Sequence, residues 1–422
     1  MHTDMSEKGL ESLIVNSLIA EAGYAPGNPE DYDREHALDL AKLIGFVRIT
    51  QPEAYDALRL REDTPRRDKF LHRVQGEISR RGVIDVLRSG VNDGHVKLKL
   101  FYGKASEKNL KAKALFEQNI FSVTRQLKYS MDNTKLALDM AVFINGLPVI
   151  TFELKNKITK QTAEDAVLQY MRDRDSRELL FQFGRCAVHF AVDDHDVRMC
   201  THLKDEASWF LPFNKGYHDG AGNPPNPHGI ATDYLWKEIL RKDSLTDILE
   251  NYAQVITKKD EKTGKKKYEQ IFPRYHQLDV VRKLLAAAPI DGVGTRYLIQ
   301  HSAGSGKSNS ITWLAHQLVG LEKEGKAVFD SVIVVTDRRI LDKQLRDNIR
   351  RFAQVSSVVG AVTEGSGQLR SFLEQGKKII ITTVQKFPFV LDQIGDYHRS
   401  SNFAIIIDEA HSSQGGRTAI RK

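Results

Sequence analysis

Three groups of residues in this sequence have the types and spacing for phosphate chemistry. The first is Gly304-Ser305-Gly306-Lys307-Ser308, set between the apolar run Tyr297-Leu298-Ile299-Gln300 and a segment with Ile311, Leu314, Ala315 and Leu318 on one helical face. A strand, a glycine loop and a helix in that order form a phosphate cradle. Glycines let backbone N–H groups turn toward phosphate oxygens, Lys307 reaches the β and γ oxygens, and the Ser308 hydroxyl ligates magnesium. ATP and Mg2+ are the cofactors such a loop calls for. The strict pattern has a further glycine where this chain has His301. The second group is Asp408-Glu409-Ala410-His411, directly after the apolar run Phe403-Ala404-Ile405-Ile406-Ile407. A buried strand ending in adjacent carboxylates puts Asp408 in the magnesium shell and Glu409 beside the attacking water.

The third group is Asp139, Glu153 and Lys155. Asn145-Gly146 between two apolar runs signals a two-residue hairpin turn. Along the second strand Val149, Thr151, Glu153 and Lys155 share one face, and the hairpin brings Asp139 beside them. Two carboxylates and a lysine at one strand end suit metal-assisted phosphodiester hydrolysis: Asp139 and Glu153 ligate Mg2+, and Lys155 orients water and faces charge on the phosphate. A bare Glu-x-Lys would more simply be the wet face of an amphipathic hairpin. The context argues otherwise, with a partner Asp, a following helix that carries Gln169, and then a strand over residues 186–192.

The elements that must hold these groups are legible in outline. Leu10, Leu13, Ile14, Leu18 and Ile19 predict a helix over residues 10–22, stopped by Gly23. Strand, turn, strand, helix, strand is expected over residues 119–192, and a Pro- and Gly-rich structured loop over 210–229. Residues 257–267, TKKDEKTGKKK, carry six lysines and read as a solvated linker. Beyond it, short apolar runs at 297–300, 332–336, 379–383 and 404–408 alternate with helical segments, which predicts a mostly parallel sheet. The fold class is therefore α/β in two parts: residues 1–256 (core about 119–192, connecting region 193–256) and 269–422, joined by 257–268.

Composition sets looser bounds. Lys+Arg of 62 against Asp+Glu of 55 gives a net charge of +7, which suits a polyanion but is too mild to prove one. No stretch approaches eighteen apolar residues and the N-terminus is not a signal peptide, so a cytosolic protein without a membrane partner is expected. Cys186 and Cys200 lack CxxC spacing, which points to ordinary thiols, with neither a disulfide framework nor a cysteine zinc site. His189 reads as a satisfied core histidine, His195 as part of a turn among Asp193, Asp194 and Asp196, and Glu11 as a surface glutamate sooner than a further acidic member of the Asp139 and Glu153 group.

The second part of the chain resembles superfamily 2 helicases and translocases. That resemblance implies a RecA-like P-loop domain in which Gln277, within Phe272-Pro273-Arg274-Tyr275-His276-Gln277, reads the adenine base. It implies that His411 couples ATP to DNA, and that Val334-Val335-Thr336-Asp337-Arg338 and Thr382-Thr383-Val384-Gln385-Lys386 touch the DNA backbone. It also implies a second motor lobe. Only fourteen residues follow Asp408 here, so this stretch alone is expected to bind nucleotide weakly. The first part resembles PD-(D/E)xK nucleases, and FINGLPVITFELKN, PFNKG, GNPPNP and YLWKEIL resemble the restriction subunit of type I restriction endonucleases. Leu138 stands at the motif's proline and Asp173 at the tyrosine of its Gln-x-x-x-Tyr helix, so only Gln169 carries over, as a DNA or water contact. The resemblance implies ATP-dependent translocation on double-stranded DNA coupled to its cleavage, alongside methyltransferase and specificity subunits. Two other readings stand beside it: a type III-like or repair helicase-nuclease, and a silent DNA-binding scaffold.

Overall fold

The computed structural model describes residues 7–104, 109–156, 160–259, 263–302, 304–336, 349, 359–361, 372, 377–385 and 401–409. Asp337, Arg338, Lys386, Ala410 and His411 lie outside them. The chain divides into two compact units, Met1–Tyr275 and His276–Lys422.

The first unit is built on a mixed seven-stranded sheet in the order Ala25–Pro26, Phe121–Lys128, Ala137–Ile144, Leu147–Leu154, Val188–Val192, Val197–Cys200, Leu211–Pro212. Three consecutive strands are antiparallel, and Leu147–Leu154 then pairs in parallel with Val188–Val192 after a crossover through the helix Ala163–Arg172. The hairpin turns where expected. Asn145 and Gly146 both have positive φ, at 51° and 82°, the combination a type I′ turn demands. Asn145 is fully buried, its amide donating to the Leu100 carbonyl and to Asn119 Oδ1 at 2.9 Å each. A Cβ at Gly146 would lie 2.3 Å from the Asp39 carbonyl oxygen. This turn is therefore locked by backbone packed against it.

The first helix spans Glu7–Ala20, with Leu10, Ile14 and Leu18 buried. On the same face Glu11 is only 4% exposed, which corrects its reading as a surface residue. Its carboxylate accepts hydrogen bonds from Arg125 Nε and from Gln126 Nε2. These donors sit on a neighbouring strand and leave no trace in the helix's own periodicity.

Residues 257–267 are also not a plain linker. Gln254–Lys259 and Lys266–Ile271 form an antiparallel hairpin with Thr257 opposite Tyr268. Lys258, Lys265, Lys266 and Lys267 are exposed, but Gln270 is 4% exposed and donates to the carbonyls of Cys186 and Ala187. The lysine run hid this because the anchoring residues flank it.

In the second unit Ser331–Thr336 is flanked by Ile379–Thr383 and Phe403–Ile407, with Val359–Ala361 outside, and all pairings are parallel. Ile311, Ala315 and Leu318 of the helix Lys307–Val319 pack on Val332, Val334, Ile379 and Ile381. The expected strand at 297–300 is not formed: Tyr297, Leu298 and Ile299 are 41%, 91% and 42% exposed. Phe403–Ile407 is an edge of the sheet among the described residues, with Ile405 and Ile407 nearly half exposed. An apolar run without a ladder partner cannot satisfy its backbone as a strand, so composition alone misled here.

No described helix is long and apolar enough to cross a membrane.

Candidate functional site

Every residue of Leu147–Leu154 is buried, because this strand lies centrally in the sheet and is covered on both faces. Glu153 is fully buried, which removes the wet-face explanation of the Glu-x-Lys pair. On its face, Thr151 Oγ1 lies 2.8 Å from the Tyr170 hydroxyl and 2.7 Å from His189 Nδ1, so the helix Ala163–Arg172 is seated on this face by polar contacts as well as apolar ones. His189 is a core histidine whose pKa burial pushes down to about 3. His195 sits in the bend between strands, where Asp193 Oδ1 accepts from the backbone of His195 and Asp196.

Asp139 stands across the hairpin from Glu153. Its Oδ2 accepts the Leu154 backbone N–H at 2.8 Å, so the carboxylate is held against the strand that carries Glu153 and Lys155. Lys155 is 7% exposed and continues the parallel register, its N–H donating to the Val192 carbonyl at 2.9 Å.

Arg174 is the residue that pattern reading missed. It follows the helix, is 5% exposed at its side chain, and donates from Nε to Glu153 Oε1 at 2.6 Å and from Nη2 to the Ala137 carbonyl at 2.9 Å. Its guanidinium engages one oxygen of Glu153. The other, Oε2, is buried beside Asp139. Burial, and after it the charge on Asp139, raise the Glu153 pKa to about 8, with Arg174 opposing. A fully buried carboxylate and a half-buried one that repel each other across a hairpin are a donor set that fits a small divalent cation. Gln169, half-buried on the same helix, also has a buried Oε1 without a hydrogen bond.

A pH dependence follows. A carboxyl whose folded pKa exceeds its unfolded value contributes stability that is complete below the unfolded value and is lost as pH rises through the folded one. In metal-free protein the thermal midpoint should therefore fall between about pH 4.5 and about pH 8. The fall should be smaller in Glu153→Gln. Equal slopes in calorimetric melts of the two proteins would show that Glu153 does not carry the effect.

In the second unit the loop Gly304–Ser305–Gly306 bends through positive φ at both glycines, 73° and 82°. Gln277 is buried and its Nε2 donates to the Ser305 and Gly306 carbonyls at 3.1 and 3.0 Å. A Cβ at Gly306 would meet that nitrogen at 2.3 Å. Gln277 thus braces the loop through its backbone. Lys307, first in the helix, places Nζ 2.6 Å from Glu409 Oε1 and 3.9 Å from Asp408 Oδ1. Ser308 follows it in the first turn, half-buried. Loop, lysine and both strand-end carboxylates are therefore brought to one place, and the convergence of Lys307, Asp408 and Glu409 fits a magnesium nucleotide.

Residues 4–208 match the family model of the type I restriction enzyme R protein N terminus, and residues 276–421 match that of the SWI2/SNF2 ATPase. The chain thus carries a domain like the N terminus of type I restriction enzyme R proteins and, after it, one like the SWI2/SNF2 ATPases. Its curated relatives agree over most of its length. A putative type I restriction enzyme MjaVIIIP endonuclease subunit from Methanocaldococcus jannaschii is 24% identical over 83% of this chain and 34% of the relative. The type I restriction enzyme HindI endonuclease subunit from Haemophilus influenzae is 26% identical over 71% of this chain and 28% of the relative. The chain spans about a third of the length of those relatives.

Proposed function

We propose that this chain contributes a magnesium-dependent DNA endonuclease centre and part of an ATP-driven translocase, acting on double-stranded DNA with methyltransferase and specificity subunits. The endonuclease names of the relatives support this, as does the order of the two matched models. On this reading the first unit is a PD-(D/E)xK restriction-endonuclease-like domain, and the second is a RecA-like lobe.

The observation that carries the reading is the fully buried Glu153 carboxylate beside Asp139, its pKa raised by burial and by that neighbour's charge. Asp139 and Glu153 would hold Mg2+, which when bound supplies Lewis-acid polarisation and a more acidic water. Lys155 would hold the attacking water and face the charge that develops on the scissile phosphate. Gln169 would contact DNA or that water. In the second unit the backbone of Gly304, Ser305 and Gly306, with Lys307, would hold the phosphates of ATP, while Ser308 and Asp408 would hold its Mg2+. Gln277 would steady the loop beneath the nucleotide and read its base. Once Lys307 turns to phosphate, Glu409 is released to orient water.

Calorimetric titration with CaCl2, which occupies oxygen-donor sites without supporting turnover, tests the first centre in isolation. Glu153→Gln should abolish binding there, because a neutral amide keeps the shape and removes the charge. Undiminished binding in that variant would remove the metal from this site.

A further inference from the structure

Two imidazoles and three carboxylates meet elsewhere in the first unit, where residues 33–36 face the helix Pro65–Arg81. His36 is at the centre. It is 2% exposed, and its Nε2 makes no hydrogen bond. An imidazole nitrogen taken out of water without a hydrogen bond costs free energy. Nδ1 lies 3.3 Å from Asp33 Oδ2, an ion pair. Nε2 lies 3.9 Å from Asp68 Oδ1. The His72 ring packs on the His36 ring at 4.6 Å between centroids. His72 Nε2 is in turn 3.6 Å from Asp68 Oδ2 and 3.8 Å from Glu35 Oε1. One donor atom each from Glu35, His36 and His72 lie within 4.8 Å of one another.

Donors held about 2.0–2.2 Å from a tetrahedral centre are about 3.3–3.6 Å apart. Glu35, Asp68 and His72 are half-exposed at their side chains, and rotamer changes there would bring the donors to that spacing.

We propose that Glu35, His36, Asp68 and His72 form a second divalent-cation site, of the mixed imidazole and carboxylate kind that takes zinc. Two nitrogen donors select against magnesium, which prefers oxygen throughout, and so separate this site from the hairpin carboxylates. Asp33 supplies the outer support, a carboxylate behind a ligating histidine that fixes ring orientation. Four protein donors fill a tetrahedral shell and leave no open position, which makes the site structural. Its effect would be mechanical. Arg34 Nε donates to the Lys128 carbonyl, the Asp39 N–H donates to the Gly146 carbonyl, and Tyr32 belongs to the core beneath the sheet. A cation here would pin the helix Pro65–Arg81 to the segment that backs the Asn145–Gly146 turn.

The test is calorimetric titration of metal-stripped protein with ZnCl2, with thermal melts alongside. Wild type and Asp139→Asn should each bind one tight equivalent that raises the melting midpoint. His72→Ala and Glu35→Gln, both changes at half-exposed positions, should weaken that equivalent by at least about 10-fold and remove the rise. X-ray absorption at the zinc edge should show two imidazoles. No tight zinc in wild type, or an equivalent that survives both His72→Ala and Glu35→Gln, would overturn the proposal. So would an equivalent lost only in Asp139→Asn, since it would belong to the hairpin carboxylates. Should His72→Ala fail to fold, Glu35→Gln decides alone.

Discussion

Asp139→Asn and Lys155→Ala are each expected to lower DNA cleavage by the assembled enzyme at least about 10³-fold while ATP turnover stays near wild type. The size follows from the several kcal/mol that a metal-held phosphoryl centre contributes, at tenfold per about 1.4 kcal/mol. Asparagine keeps an oxygen to accept the Leu154 N–H, so the hairpin should survive the loss of charge. Lys155 is anchored by its backbone to Val192, and truncating its side chain leaves that ladder intact. The separation of the two activities is the informative part. Asp139, Glu153 and Lys155 lie in the unit ending at Tyr275, and Lys307, Asp408 and Glu409 lie in the other. Parallel gel cleavage and steady-state ATPase assays on the same preparations measure both. A collapse of ATPase with cutting intact would refute the assignment.

Lys307→Ala is expected to remove both activities, lowering ATP turnover by at least about 10²–10³-fold, the range for deleting one charge-stabilising donor from a reacting centre. Lys307 meets Glu409 at 2.6 Å and stands 3.9 Å from Asp408. Alanine would therefore leave two strand-end carboxylates facing the triphosphate without the lysine's charge between them. Cleavage should fall with ATPase if cutting depends on translocation. Wild-type cleavage by Lys307→Ala would show that the nuclease fires without the motor, and wild-type ATPase would remove Lys307 from the nucleotide site.

The local signals that carried furthest were those whose physics is local. Asn145-Gly146 needs positive φ at both positions, and only a few residue types accept it, so the turn and the alternation beyond it were readable in one dimension. Glycines 304 and 306 are readable for the same reason. A hairpin then brings Asp139 to Glu153 by register alone. Failures came where pairing partners decide. Residues 297–300 have strand composition but no ladder, and the lysine run at 257–267 has linker composition but its two ends lie in hairpin strands, which Gln270 and Phe272 anchor from outside the window.

What the sequence by itself determined is thus the set of candidate groups: two carboxylates and a lysine on one hairpin, a phosphate loop, and a strand ending in Asp408-Glu409. What only the tertiary structure decided is their electrostatic state. Glu153 is fully buried because strands on both sides and the helix Ala163–Arg172 cover it, and Arg174, twenty-one residues further along, claims one of its oxygens. Glu11 is buried because Arg125 and Gln126 reach it from another strand, and His36 meets His72 because a helix crosses its loop. Burial and charge pairing depend on groups distant in the chain, and residue spacing does not encode them.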